Sequence, residues 1–211
     1  MSAFRRRRLG LIVAAFLLQT AVLRAALPGS DDAPGQPSPS LAGQLLVAAP
    51  SMGDPRFERA VVLIVKHDSG GAIGIVVNKP IGEQSLADVL KALGQDDNGA
   101  SGRLRIFSGG PVEPDIGFVL HSSEYRRQET VAVTDRVAMT SSVAILRDIG
   151  AGKGPAKALV AFGYAGWGPG QLEREMDARA WATAEADPAL VFDEDRDKVW
   201  DVAWERRTQH S

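Results

Sequence analysis

The hydrophobic positions of the chain fall into short blocks divided by turn chemistry, and block length and period predict the elements. Leu45–Ala49 is a brief apolar run ending at Pro50, the pattern of a strand. Ala60–Lys66 (AVVLIVK) and Ile73–Asn78 (IGIVVN) are β-branched runs on either side of HDSGGA, whose Asp-Ser-Gly-Gly is turn chemistry, so together they predict a hairpin. Their hydrophobicity is continuous rather than alternating, which predicts burial on both faces. Pro80 and Gly82 are expected to end the second strand.

The period then changes. Leu86, Val89, Leu90 and Leu93 fall at i, i+3, i+4 and i+7, with Ser85 placed to cap the helix and Gly94 to stop it. Leu104–Phe107, Gly117–His121, Thr130–Thr134 and Ala158–Phe162 read as further strands, and Ser142–Ile149 as a short helix. Gln171–Trp181 and Asp197–Arg206 read as helices, the second placing Trp200 and Trp204 on one face. Strands come in adjacent antiparallel-looking groups with helices between some of them, so the fold class is α+β.

Composition narrows the functional classes. The chain has 211 residues and is 45% hydrophobic, enough for one good core. Five arginines and no acid lie in the first 30 residues; the remainder holds 19 basic against 26 acidic side chains. An acidic body without a basic run argues against nucleic acid as a partner. With no cysteine, disulfides, thiol catalysis and Cys-ligated metals are excluded.

Arg5–Arg8 followed by Leu9–Leu18 has the form of a signal peptide, a positive stretch and then about ten apolar residues. Residues 1–26 are therefore expected to be a signal-like or anchoring segment, unless the true start lies downstream. Membrane contact would run through residues 9–23 if they stay uncleaved. Residues 27–40, rich in Pro, Ser, Gly and Asp, are expected to be a disordered linker. The folded domain is expected over 41–207.

GYAGWGPGQ (163–171) crowds four glycines and a proline around Trp167, between a buried strand and a helix. A helix start can hold an anion. However, Pro169-Gly170 stands where a phosphate loop needs Lys-Ser/Thr, Pro169 lacks an N–H, and Glu173 and Glu175 already place negative charge nearby. The favoured reading is a tight corner with Trp167 covering the core edge.

GYAGWGPGQLE, together with HDSGGAIGIVVNKP (67–80), SGGPV (108–112), GFVLHS (117–122), MTSS (139–142) and LVAAPSMGDPRFERAVV (46–62), resembles the bacterial YqgE/AlgH family. The resemblance runs from about Leu41 to Trp204. It implies a single domain in which a bent, largely antiparallel sheet wraps into a barrel-like core with flanking helices. It also implies a cytoplasmic protein of uncharacterised function; some members carry the label of transcriptional regulator. Two features depart from the family pattern: Lys66 stands where an acid usually precedes His67, and the arginine-rich extension is unusual.

Candidate chemistry is sparse. Only His67, His121 and His210 are histidines. Ser108 before Gly109-Gly110, with His121 or His67 as base and Asp68, Asp54 or Asp115 as orienter, has the residue types of a hydrolase, without a nucleophile elbow. His67, Asp68 and His121 have the donor types of a metal site, but adjacent residues on a strand point apart, and hydrogen-bonded structural histidines are the favoured reading. Neither a metal nor a cofactor is expected. Asn78 and Lys79, with Gly109, Gly110, His121, Gly166, Trp167 and Gly168, form the candidate ligand-binding set, provided their turns meet in space. The first reading of function is a non-enzymatic binding or regulatory domain for a small molecule or protein. A hydrolase using Ser108 and His121 is the alternative, and a transcriptional regulator the third.

Overall fold

The computed structural model describes residues 39–97, 99–193 and 195–208. The signal-like segment, nearly all of the linker, and His210 lie outside the described residues.

Ten strands form one curled sheet: β1 (Gln44–Ala48), β2 (Val61–Asp68), β3 (Gly71–Val76), β4 (Pro80–Ser85), β5 (Arg103–Ser108), β6 (Val112–Ser122), β7 (Thr130–Ala132), β8 (Val137–Thr140), β9 (Ala158–Trp167) and β10 (Trp181–Glu185). The order is β10-β1-β2-β3-β9-β6-β8-β7, with β5 beside β9 and β4 outside β5. Every pairing is antiparallel except β5 with β9. Four helices flank it: α1 (Leu86–Ala92), α2 (Ala144–Gly150), α3 (Gln171–Asp177) and α4 (Val199–Glu205). A π-helical turn covers Ala189–Asp193.

β9 is the spine. Its first half lies between β5 and β6, and its last residues pair with β3, Gly74 facing Ala165 and Ala72 facing Trp167. Gly163 sits between the halves at φ +75° and turns the strand, so the sheet curls into a half-barrel. The continuous hydrophobicity of β1, β2 and β9 now has its cause. Leu45, Val47, Val61, Leu63, Leu159 and Ala161 face one core, closed by α4, while Leu46, Ala48, Val62 and Ile64 face a second that includes Leu172 of α3. Val160 and Phe162 face a third core, shared with α1 and α2. Both faces of these central strands are therefore buried, and they must be apolar on both.

Several elements differ from the sequence expectation. The strand predicted to stop at Phe162 runs on to Trp167, because β3 and β6 pair with its glycine-containing half. The helix expected over 171–181 stops at Asp177. Arg179, at φ +57°, turns the chain, and Trp181 opens β10 instead. β3 does stop before Pro80, but Pro80 and Gly82 lie in a further strand, β4, that was not expected, and β8 carried too short a pattern to be read. Ser85 does cap α1, its hydroxyl accepting from the Asp88 N–H at 3.0 Å. No helix among the described residues is long and apolar enough to cross a membrane.

Candidate functional site

The corner of β9 is built by backbone contact. Gly109 donates its N–H to Phe162 O at 2.7 Å and accepts from the Val76 N–H at 2.8 Å. A Cβ on Gly109 would lie 2.3 Å from Gly163 O, and one on Gly110 would lie 2.1 Å from the Tyr164 carbonyl carbon. The pair is thus a seam between β5 and β9 that delivers Pro111 and Val112 to the surface beside Gly166. Ser108 donates its N–H to Lys79 O, which brings Asn78 and Lys79 to the same seam. Asn78 is buried, its Oδ1 accepting from the Val61 N–H at 2.9 Å and its Nδ2 donating to Arg59 O at 2.8 Å. Lys79 Nζ donates to Glu58 O at 2.6 Å. Both side chains therefore hold the 58–61 backbone, and through it Phe57.

These turns meet around a cavity of about 220 Å³, lined in part by Phe57, Pro111, Val112, Gly166, Trp167, Gln171, Glu175 and Trp181. Three rings form its apolar wall: Trp167 and Trp181 cross edge to face at 5.9 Å, and Phe57 lies 6.4 Å from the first and 5.5 Å from the second. One carboxylate organises them. Trp167 Nε1 and Trp181 Nε1 both donate to Glu175 Oε2, at 2.9 and 2.8 Å, and Gln171 Nε2 donates to Oε1 at 2.8 Å. Gln171 in turn accepts from the Gly168 N–H at 3.0 Å. At the rim, Arg56 grips Asp54 with its Nε and Nη2, which holds that carboxyl below its usual range.

His121 lies elsewhere. It is fully buried, and its pairing with Ala158 puts it on the β6 edge of β9, whereas Ser108 pairs with Phe162 on the β5 edge. Two strand spacings and four residues separate them, on the order of 16 Å, and the Gly109 N–H that an oxyanion would need is spent on Phe162. His121 Nδ1 lies 3.0 Å from Ser122 O, which can only accept, so Nδ1 carries the proton. Nε2 then accepts from the Thr140 hydroxyl at 2.9 Å, and burial depresses the pKa of the ring.

His67 is far from His121 and is braced at both ring nitrogens. Nδ1 accepts from the Leu41 N–H at 3.0 Å, and Nε2 meets Glu173 Oε1 at 2.7 Å. Burial opposes ionisation of Glu173, but its own backbone N–H and His67 outweigh it and hold the carboxyl below its usual value. The acid partner of His67 thus comes from α3, not from position 66, whose Lys66 pairs with Asp68. No three His, Asp or Glu side chains gather into a metal-sized group among the described residues.

A family model described as AlgH-like matches residues 45–210. The chain belongs to the AlgH-like family. UPF0301 proteins of Jannaschia and Cereibacter sphaeroides are 44% and 48% identical to it, over 77% and 76% of this chain and 86% and 88% of their own. The solution structure of the AlgH protein from Pseudomonas aeruginosa is 38% identical, with a TM-score of 0.66 over 84% of this chain and all of that one. A Corynebacterium diphtheriae protein at 22% identity and a TM-score of 0.64 shares the fold.

In this AlgH-like chain, Gly166, Trp167 and Gly168 therefore stand at or beside the cavity, Gly109, Gly110, Asn78 and Lys79 support it from behind, and His121 is apart. Sequence reasoning missed Phe57, Gln171, Glu175 and Trp181. Glu175 read as a charge on a helix, and Trp181 as that helix's end. The available signal was the spacing of Trp167, Gln171 and Glu175 at i, i+4 and i+8.

Proposed function

We propose that this AlgH-like protein is a non-enzymatic recognition domain whose binding site is the cavity bounded by Phe57, Trp167, Glu175 and Trp181. The observation that carries the reading is the convergence of two indole N–H groups on one carboxylate oxygen beside an open space. Both tryptophans belong to the core behind the wall, and the shared carboxylate satisfies their buried N–H groups while fixing their ring edges at the cavity. The size supports a small ligand or a single chemical group, since sites for drug-sized molecules run from about 300 to 1,000 Å³. The hydrolase alternative has lost its support with the separation of Ser108 from His121, and the acidic body gives none to a DNA-binding regulator.

The test is a thermal-shift screen of the full chain against nucleotides, phosphorylated metabolites, amines and divalent metals. A ligand of the native state at a hundredfold excess over Kd adds about 2.7 kcal/mol. Each hit is repeated with Trp181→Leu and Trp167→Phe. The expected result is a stabilising compound whose effect is lost in both variants. Hits that keep their full effect in both would sink the assignment of this site.

A further inference from the structure

Resting on the site proposed above, we infer that the cavity takes a small organic cation, an alkylated ammonium group. Three features of the wall converge on that chemistry.

The first is the direction of the donors. Both indole N–H groups and the Gln171 amide point at Glu175, so the wall does not turn them toward a ligand. An anionic or carbonyl-bearing ligand needs donors; what the wall offers is ring surface and carboxylate oxygen. The second is charge. Among the lining residues, Asp54 and Glu175 are acidic and Arg56 alone is basic, leaving one net negative charge. Arg56 is moreover committed to Asp54 by contacts of 2.6 to 3.1 Å. The third is the rings. Phe57, half-buried, and the exposed margins of the buried Trp167 and Trp181 supply the aromatic surface that attracts a weakly hydrated cation. Donation of each indole N–H to a carboxylate pushes further electron density into the ring. An alkylated ammonium satisfies all three, because its methyl groups pack on rings while its charge is spread over them. Its size also suits about 220 Å³, which is too small for a nucleotide.

The experiment follows the four indole N–H signals of the full chain by two-dimensional NMR during titration with choline chloride. 3,3-Dimethylbutan-1-ol, the neutral isostere of choline, is titrated in parallel, with sodium chloride as the ionic-strength control. Trp200, whose Nε1 donates to Ala48 O, reports any effect outside the cavity. The expected result is saturable movement of the Trp167 and Trp181 signals with choline, and binding of the alcohol at least about fivefold weaker. Glu175→Gln should weaken choline binding about tenfold, and Arg56→Ala, an exposed change that leaves the fold intact, should tighten it about threefold. If the alcohol moves both indoles as readily as choline, the cation inference falls while the cavity stands as a binding site. If neither compound moves them, the inference also falls, and the thermal-shift screen judges the site independently. Tightening that fails to appear in Arg56→Ala likewise overturns the charge argument.

Discussion

Gly110 and Tyr164 approach so closely that a single added carbon has no room: a Cβ on Gly110 would lie 2.1 Å from the Tyr164 carbonyl carbon and 2.3 Å from its oxygen. The obstacle is backbone in a paired strand, which cannot rotate away, and Gly110 also holds φ +152°, where side chains are disfavoured. Gly110→Ala is expected to cost at least about 3 kcal/mol in urea unfolding, or to prevent folding. Gly53→Ala is the control, since a Cβ there meets nothing within 4 Å, and it should stay within about 0.5 kcal/mol. Equal effects from the two would show that the seam between β5 and β9 does not hold the corner.

His121 makes the stability of the protein depend on mild acid. The Arg127 N–H donates to Thr130 Oγ1, the two threonine hydroxyls meet at 2.8 Å, and Thr140 serves the imidazole. Every group is satisfied with a neutral ring. A second proton on Nε2 would turn that nitrogen into a donor and leave the Thr140 hydroxyl hydrogen without its acceptor. Because burial lowers the folded pKa below 6.5, the unfolded chain takes up this proton first. The contribution is therefore complete above about pH 7 and is lost as pH falls from 6.5 toward the depressed folded value, at up to about 1.4 kcal/mol per pH unit. His121→Gln preserves one donor and one acceptor but does not titrate. The difference between its urea-unfolding profile and that of the parent protein should be flat at pH 7–8 and grow between pH 6.5 and 5. Parallel profiles throughout would overturn the assignment.

Asn78→Ala leaves the buried Val61 N–H and the Arg59 carbonyl without their side-chain partners. An unmet buried backbone group costs about 1–3 kcal/mol, so the variant should lose roughly 2–4 kcal/mol. Asn78→Asp keeps the acceptor for Val61 but sets a carboxylate oxygen against Arg59 O. It should be no better at pH 7 and recover partly near pH 4, where protonation restores the donor. Because this amide holds the backbone that carries Phe57, ligand affinity should fall in the folded fraction as well.

The parts of the fold that sequence made legible are those in which one local interaction decides. Ser85 caps α1 because its hydroxyl reaches three residues onward, and Trp200 and Trp204 stack at 5.6 Å because four residues make one turn. The two-faced burial of β2 and β3 was visible in their unbroken apolar runs. GYAGW was not legible as a strand, because Gly163 serves a distant partner: glycine at 109, 110 and 163 permits the close approach, and nothing within 163–167 names that partner. The site was half visible for the same reason. Asn78, Gly109 and Trp167 stood out by residue type, but Phe57, Glu175 and Trp181 take their meaning from contacts of a helix and the strand after it with a loop more than 100 residues earlier in the chain.

The loop that presents Phe57 is also fastened to the C-terminal helix. Arg59 lies at φ +50°, its guanidinium 4.1 Å over the Trp200 ring and its Nη2 2.6 Å from Asp201. The ion pair is half exposed on both sides and should contribute little, so Asp201→Asn is expected to cost no more than about 0.5 kcal/mol. The ring contact is worth about 1 kcal/mol, and Arg59→Ala loses it while keeping the unfavourable backbone. Arg59→Gly loses the same contact but relieves the left-handed conformation, and should be more stable than Arg59→Ala by roughly 1 kcal/mol. Three urea-unfolding curves decide the matter. If Asp201→Asn is as damaging as Arg59→Ala, charge rather than stacking holds the loop, and the ranking of the alanine and glycine variants separates the contact from the backbone strain beneath it.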